Sequence, residues 1–148
     1  MDAKQLSNFL EKTDLDFAVT SADEVPRYPI QKPTGLIVNT DPSYRSGKHW
    51  VCIYLPKKGP TEFFDSLGRS PEYYHPDFRR VLITNGPTYL HNEGRLQDYG
   101  SPYCGEYCLD FLVQRHRGES YQSFLKQFGD HYAENDSRVL HNLRERVV

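Results

Sequence analysis

Apolar positions follow a helical spacing at both ends of this chain and a strand-like pattern through its middle. Leu6, Phe9 and Leu10 share one face over residues 5–12 and predict a short amphipathic helix. Residues 16–20 read as a short strand. Residues 21–34 hold Pro26, Pro29 and Pro33 and predict an ordered crossing loop whose Val25, Tyr28 and Ile30 pack on a surface. The compact run 35–40 is bounded by turn residues and predicts a buried central strand. After a loop at 41–47, residues 49–55 and 61–66 predict two further strands, with residues 56–60 (Pro-Lys-Lys-Gly-Pro) as the turn of an antiparallel hairpin. In that hairpin His49 begins one strand and Asp65 ends its neighbour, so both side chains emerge at the same edge of the sheet.

Ser70 can cap a helix starting at Pro71, which Pro76 bends or restarts within residues 73–82 and Asn85-Gly86-Pro87 ends. Residues 88–91 predict a further strand. Tyr107, Cys108, Phe111 and Leu112 recur at helical spacing and predict a helix over 104–115, buried on one side. Two helices are expected at the end, one over 121–128 capped by Ser120 and stopped by Gly129, the other over 138–146 after Asp136-Ser137.

With 148 residues, 37% hydrophobic and 26% charged, the chain fits one globular domain spanning 1–148. A net charge of −2 and a pI near 6.3 provide no global basic field for nucleic acid or an anionic membrane. No apolar run approaches a membrane span and no secretory leader is visible, so an intracellular protein is expected. Three cysteines, at 52, 104 and 108, are too few for a disulfide framework and point to a reducing compartment and thiol chemistry. Cys104 and Cys108 could share a helix face, but no further ligands complete a zinc site, so neither metal nor cofactor is expected.

The chemistry concentrates in His49, Asp65, Gln97 and Cys104, in that order. A cysteine in the first turn of a helix meets unpaired backbone N–H groups and the positive end of the dipole, which favour thiolate. Cys104 has that position, whereas Cys108 lies one turn further in and suits the core. His49 would exchange protons with the thiol and a leaving amine, and Asp65 would orient its imidazole. Gln97, seven residues before Cys104, could supply an oxyanion-hole donor together with the Cys104 N–H. Trp50 can shield the histidine, while Gly100 and Gly105 allow a substrate backbone to approach. The histidines at 75, 91, 116, 131 and 141 are expected to be solvated, and Arg115-His116-Arg117 to form a solvated helix end.

The stretches Ile37-Val38-Asn39-Thr40, Gly47-Lys48-His49-Trp50, Phe64-Asp65-Ser66-Leu67-Gly68 and Gln97 through Cys104-Gly105 resemble the adenovirus protease (adenain) family, related to proteases specific for SUMO- and ubiquitin-like modifiers. The resemblance implies an α+β fold with a mixed, largely antiparallel central sheet flanked by helices. It implies a monomeric cysteine endopeptidase cutting viral precursor proteins after Gly-X-Gly or Gly-Gly sites during virion maturation, in the host nucleus or the particle. It also implies activation by a viral peptide, disulfide-linked in the family, and by DNA. Here no cysteine lies between Asp65 and Gln97 to hold such a peptide, and the acidic pI weighs against DNA. The alternative within the same resemblance is a protease that removes ubiquitin-like or SUMO-like modifiers. A catalytically silent binding module and an acyltransferase are more distant readings.

Overall fold

A computed structural model describes residues 1–45 and 48–146; part of the expected 41–47 loop, including Gly47, lies outside the described residues. The chain runs α1 (Ala3–Glu11), β1 (Phe17–Ser21), β2 (Thr34–Asn39), β3 (Trp50–Leu55), β4 (Thr61–Phe64), α2 (Pro76–Asn85), β5 (Tyr89–His91), α3 (Cys104–His116), α4 (Tyr121–Leu125) and α5 (Tyr132–Arg146). The strands form one sheet in sequence order. β2 and β3 pair antiparallel, as do β3 and β4, and β1 and β5 add in parallel at the two edges. The fold is therefore α+β, with a mixed sheet between helices.

Why the central strands read as nearly unbroken apolar runs is plain from their two covered faces. Ile37, Cys52, Tyr54 and Phe64 face a core shared with α1, α3, α4 and α5. Their neighbours Leu36, Val38, Val51, Ile53, Leu55 and Phe63 face a second core closed by Phe78, Val81 and Leu82 of α2. Phe64 stacks on Phe111 at 4.9 Å and meets Phe124 edge-on at 5.4 Å, which locks α3 and α4 to the sheet.

Local signals set most boundaries. Asp2 and Gln5 form a reciprocal capping box at the start of α1. Pro71 opens a single helical turn, and Pro76 restarts the chain as α2. Five expectations are corrected. The helix over 104–115 is buried nearly all round and not on one side, because α1, α5 and the sheet surround it. Asp110 and Gln114, on its buried faces, are accommodated by mutual hydrogen bonding and by Asn142 of α5. The last helix begins at Tyr132 and not at residue 138, since its first turns are held by polar contacts that leave no apolar period to read. Arg115 is not solvated but forms a bidentate pair with buried Glu62, at 2.6 and 2.7 Å. His116 and His75 also have partners, His116 Nε2 the Asp14 carboxylate at 2.5 Å and His75 Nδ1 the Asp77 N–H that it caps. Within the crossing loop Val25 is buried as expected, but Tyr28 is 68% exposed.

Candidate active site

His49 directly precedes β3 and Asp65 directly follows β4, and the register placing Cys52 opposite Phe64 brings both to one sheet edge. The His49 Nε2–H donates to Asp65 Oδ1 at 2.6 Å, and both residues are buried. With Nε2 engaged by the acid, Nδ1 is the nitrogen left for Cys104.

Asp65 is gripped from several sides. The backbone N–H groups of Leu67 and Arg69 donate to its carboxylate at 3.0 and 3.1 Å, and the Tyr74 hydroxyl donates at 2.5 Å. Asn92 binds its backbone on both sides, accepting from the Asp65 N–H at 3.0 Å and donating to its carbonyl at 2.6 Å. Burial pushes this carboxyl up, but the hydrogen bond and charge of His49, with Tyr74 and the Leu67 N–H, outweigh it and hold the group below its ordinary value. The reverse balance acts on His49. Burial disfavours its charge, yet Asp65 and Cys104 raise it from 6.5 to about 9.

Cys104 opens α3, with no side-chain cap competing for the first N–H groups of the helix. The Trp50 N–H points at its sulfur at 3.5 Å. Burial pushes the thiol up, but His49 and the N–H groups of Trp50 and Gly105 bring it net below its ordinary value. Burial drives Cys52 and Cys108 the other way, leaving them as protonated core thiols. The lowered thiol and the raised imidazole both favour passing the Cys104 proton to His49.

Gln97 lies on the same cleft. The Ser66 hydroxyl donates to its Oε1 at 2.5 Å and its Nε2 donates to the Ser101 carbonyl at 2.7 Å. The amide orientation is thereby fixed, with one N–H left for the cleft. The Leu96 and Gln97 N–H groups both donate to the Ser66 carbonyl, at 2.9 and 3.0 Å. A cleft of about 490 Å³ joins these groups, with Trp50, Leu67, Arg69 and Tyr99 in its walls. Gly100 lines it at a φ of +81°, a conformation that suits glycine. Gly105 does not line it: a side chain there would meet Leu6 at 3.2 Å and Trp50 at 3.5 Å, so its role is close packing of α3 against α1. Among the described residues no His, Cys, Asp and Glu side chains cluster as a metal ion would require.

The structure brings the four sequence-predicted residues together, with supports that sequence reasoning missed. Ser66 had a signal, its place directly after Asp65 in a strand-ending motif. Tyr74 and Asn92 had none, because each reaches the site by tertiary folding from the far side of a loop.

No protein-family model matches this chain. Its sequence is similar to the SUMO-1 cysteine protease of African swine fever virus (Warthog/Namibia isolate), at 28% identity covering 62% of this chain and 37% of the viral protein. The cysteine protease of the Badajoz strain of the same virus matches with equal identity and coverage. The chain thus spans 37% of the length of these proteins. A crystal structure of the African swine fever virus protease aligns at 27% identity and a TM-score of 0.47, over 72% of this chain and 42% of that one. The central domain of an uncharacterized Legionella pneumophila protein aligns over 99% of this chain and 96% of its own, at 14% identity and a TM-score of 0.51. That likeness concerns the fold alone.

Proposed function

We propose that this protein is a cysteine endopeptidase of the adenain type, with Cys104 as nucleophile, His49 as acid and base, Asp65 as orienting acid, and Gln97 with the Cys104 N–H as oxyanion donors. The observation that carries the reading is the buried His49–Asp65 contact of 2.6 Å beside a thiol whose own pKa is lowered, at the start of a buried helix. The similarity to viral cysteine proteases supports it.

In this reading the Cys104 thiolate attacks a peptide carbonyl carbon, and the oxygen becomes an oxyanion facing Gln97 Nε2 and the Cys104 N–H. Collapse breaks the C–N bond as His49 Nδ1–H protonates the departing amine, leaving a thioester. Neutral His49 then takes a proton from water, which attacks the thioester; the acid product leaves and the thiolate–imidazolium pair returns. The substrates are viral precursor proteins cut after Gly-X-Gly or Gly-Gly sites during virion maturation, as the resemblance implies. The protein acts as a monomer inside the host cell or particle, without a metal or organic cofactor, and any activating peptide is held without a disulfide, since no cysteine lies between Asp65 and Gln97. The SUMO-1 designation of the viral proteins favours a second reading, removal of a Gly-Gly-tailed modifier.

The test is intact-mass labelling with a Gly-Gly vinyl sulfone. Single-site labelling is expected, abolished in Cys104→Ala and at least about a hundredfold slower in His49→Ala. Labelling that persists without Cys104 would sink the assignment. Faster cleavage of a folded Gly-Gly-linked modifier than of a short Gly-X-Gly peptide would select the second reading.

A further inference from the structure

The Gln97 amide is fixed by two anchors of unequal security. Ser66 holds its oxygen from the end of β4, a strand buried on both faces. Its nitrogen is held by the Ser101 carbonyl, which belongs to an exposed turn, Asp98-Tyr99-Gly100-Ser101, closed by the Ser101 N–H donating to the Asp98 carbonyl at 3.1 Å. That turn is tethered through one aromatic ring. Tyr99 lies on the Arg95 guanidinium at 3.6 Å, and the ring of Tyr132 of α5 lies on the same guanidinium at 3.9 Å. From this sandwich Arg95 Nη1 donates to the Gln97 carbonyl at 3.3 Å. The first turn of α5 also grips the preceding residue, since Asn135 Nδ2 donates to the Leu96 carbonyl at 3.0 Å. Beneath it, Asp136 accepts from Tyr107 of α3 at 2.7 Å.

We infer that Arg95 is a positioning residue for the oxyanion donor: clamped between Tyr99 and Tyr132, it ties the Gln97 segment to α5 and keeps the Gln97 amide aimed into the cleft. The inference rests on the reading of Gln97 given above. A planar guanidinium is suited to the task, because it can stack on both faces and still donate within its plane, which an ammonium cannot do. Loss of the sandwich frees the 98–101 turn, withdraws the Ser101 carbonyl and leaves the Gln97 nitrogen free to rotate. Thiolate formation is untouched, since Cys104, His49 and Asp65 are held by other contacts.

The experiment compares wild type with Arg95→Met, Arg95→Lys, Tyr132→Leu and Tyr132→Phe by three readouts: peptide hydrolysis, alkylation of Cys104 by iodoacetamide, and amide hydrogen exchange of residues 96–103. Arg95→Met and Tyr132→Leu are expected to lower kcat about tenfold, a fraction of what complete loss of an oxyanion donor costs. KM should stay within about twofold and the alkylation rate and its pH profile should not change, because simple alkylation develops no oxyanion. Exchange at 98–101 should rise. Arg95→Lys should resemble Arg95→Met, and Tyr132→Phe should resemble wild type. Unchanged kcat with unchanged exchange overturns the inference, as does a parallel fall in hydrolysis and alkylation, which marks general damage. If the wild type hydrolyses no peptide, the peptidase reading fails, and unchanged exchange in Arg95→Met then overturns the clamp independently.

Discussion

Asp65 receives hydrogen bonds from His49, Leu67, Arg69 and Tyr74, and this saturation governs the pH behaviour of the site. In the proposed mechanism the active pair is thiolate and imidazolium, so kcat/KM should rise as the lowered Cys104 thiol ionises and fall as His49 loses its proton through about pH 9. Asp65→Asn removes the charge that supports the imidazolium, and the alkaline limb of a kcat/KM profile should move toward neutrality. The linkage to stability has two signs. The raised His49 contributes stability in full below its unfolded value of 6.5 and loses it as pH climbs through about 9. The lowered Asp65 contributes above its unfolded value of 3.8 and loses it in acid. Tyr74→Phe deletes one donor to a buried carboxylate and should cost about 2 kcal/mol in urea unfolding. At this scale the sequence was readable where chemistry restricts residue type: a histidine at a strand start, an acid at the next strand end, a cysteine at a helix start. Tyr74, Asn92 and Arg95 were opaque, because a tyrosine, an asparagine or an arginine acquires such a role only from what folding sets beside it.

Two elements carry tests of packing. Gly68 has a φ of +77°, and a Cβ on it would lie 2.6 Å from the Arg95 backbone nitrogen, a collision with main chain and not with a yielding side chain. Gly68→Ala should therefore destabilise by about 3 kcal/mol and depress kcat, because the displaced segment leads into Gln97. A chemical melt and steady-state kinetics on one preparation would check both. The Glu62–Arg115 pair joins β4 to α3 with little exposure on either side. Arg115→Met leaves a buried carboxylate alone and should cost about 3 kcal/mol, whereas Glu62→Gln with Arg115→Met should recover part of that loss. The hairpin and α3 were legible because their apolar periods are strong. The beginning of α5 was not, because Tyr132, Asn135 and Asp136 act through stacking and hydrogen bonds, which hydrophobic periodicity does not register.

In the whole molecule the candidate site lies where pieces of different sequence range meet. His49 and Asp65 are 16 residues apart within one hairpin, Ser66 and Gln97 are 31 apart, Leu96 and Asn135 are 39 apart, and Trp50 and Cys104 are 54 apart. Loop closure favours the nearest partners first, so the acid–base half has the shortest route to assembly and the oxyanion half a longer one. Refolding from urea should therefore restore hydrogen-exchange protection of the β3–β4 hairpin before Cys104 alkylation; simultaneous recovery would contradict that order. On a ribosome the same sequence of events acquires a meaning. Chains emerge amino end first, and α5 follows every residue of the candidate site. A nascent chain would thus already carry its His49–Asp65 pair while lacking the support that aims Gln97. Synthesis itself would act as a timer, leaving the candidate site unfinished until α5 has docked.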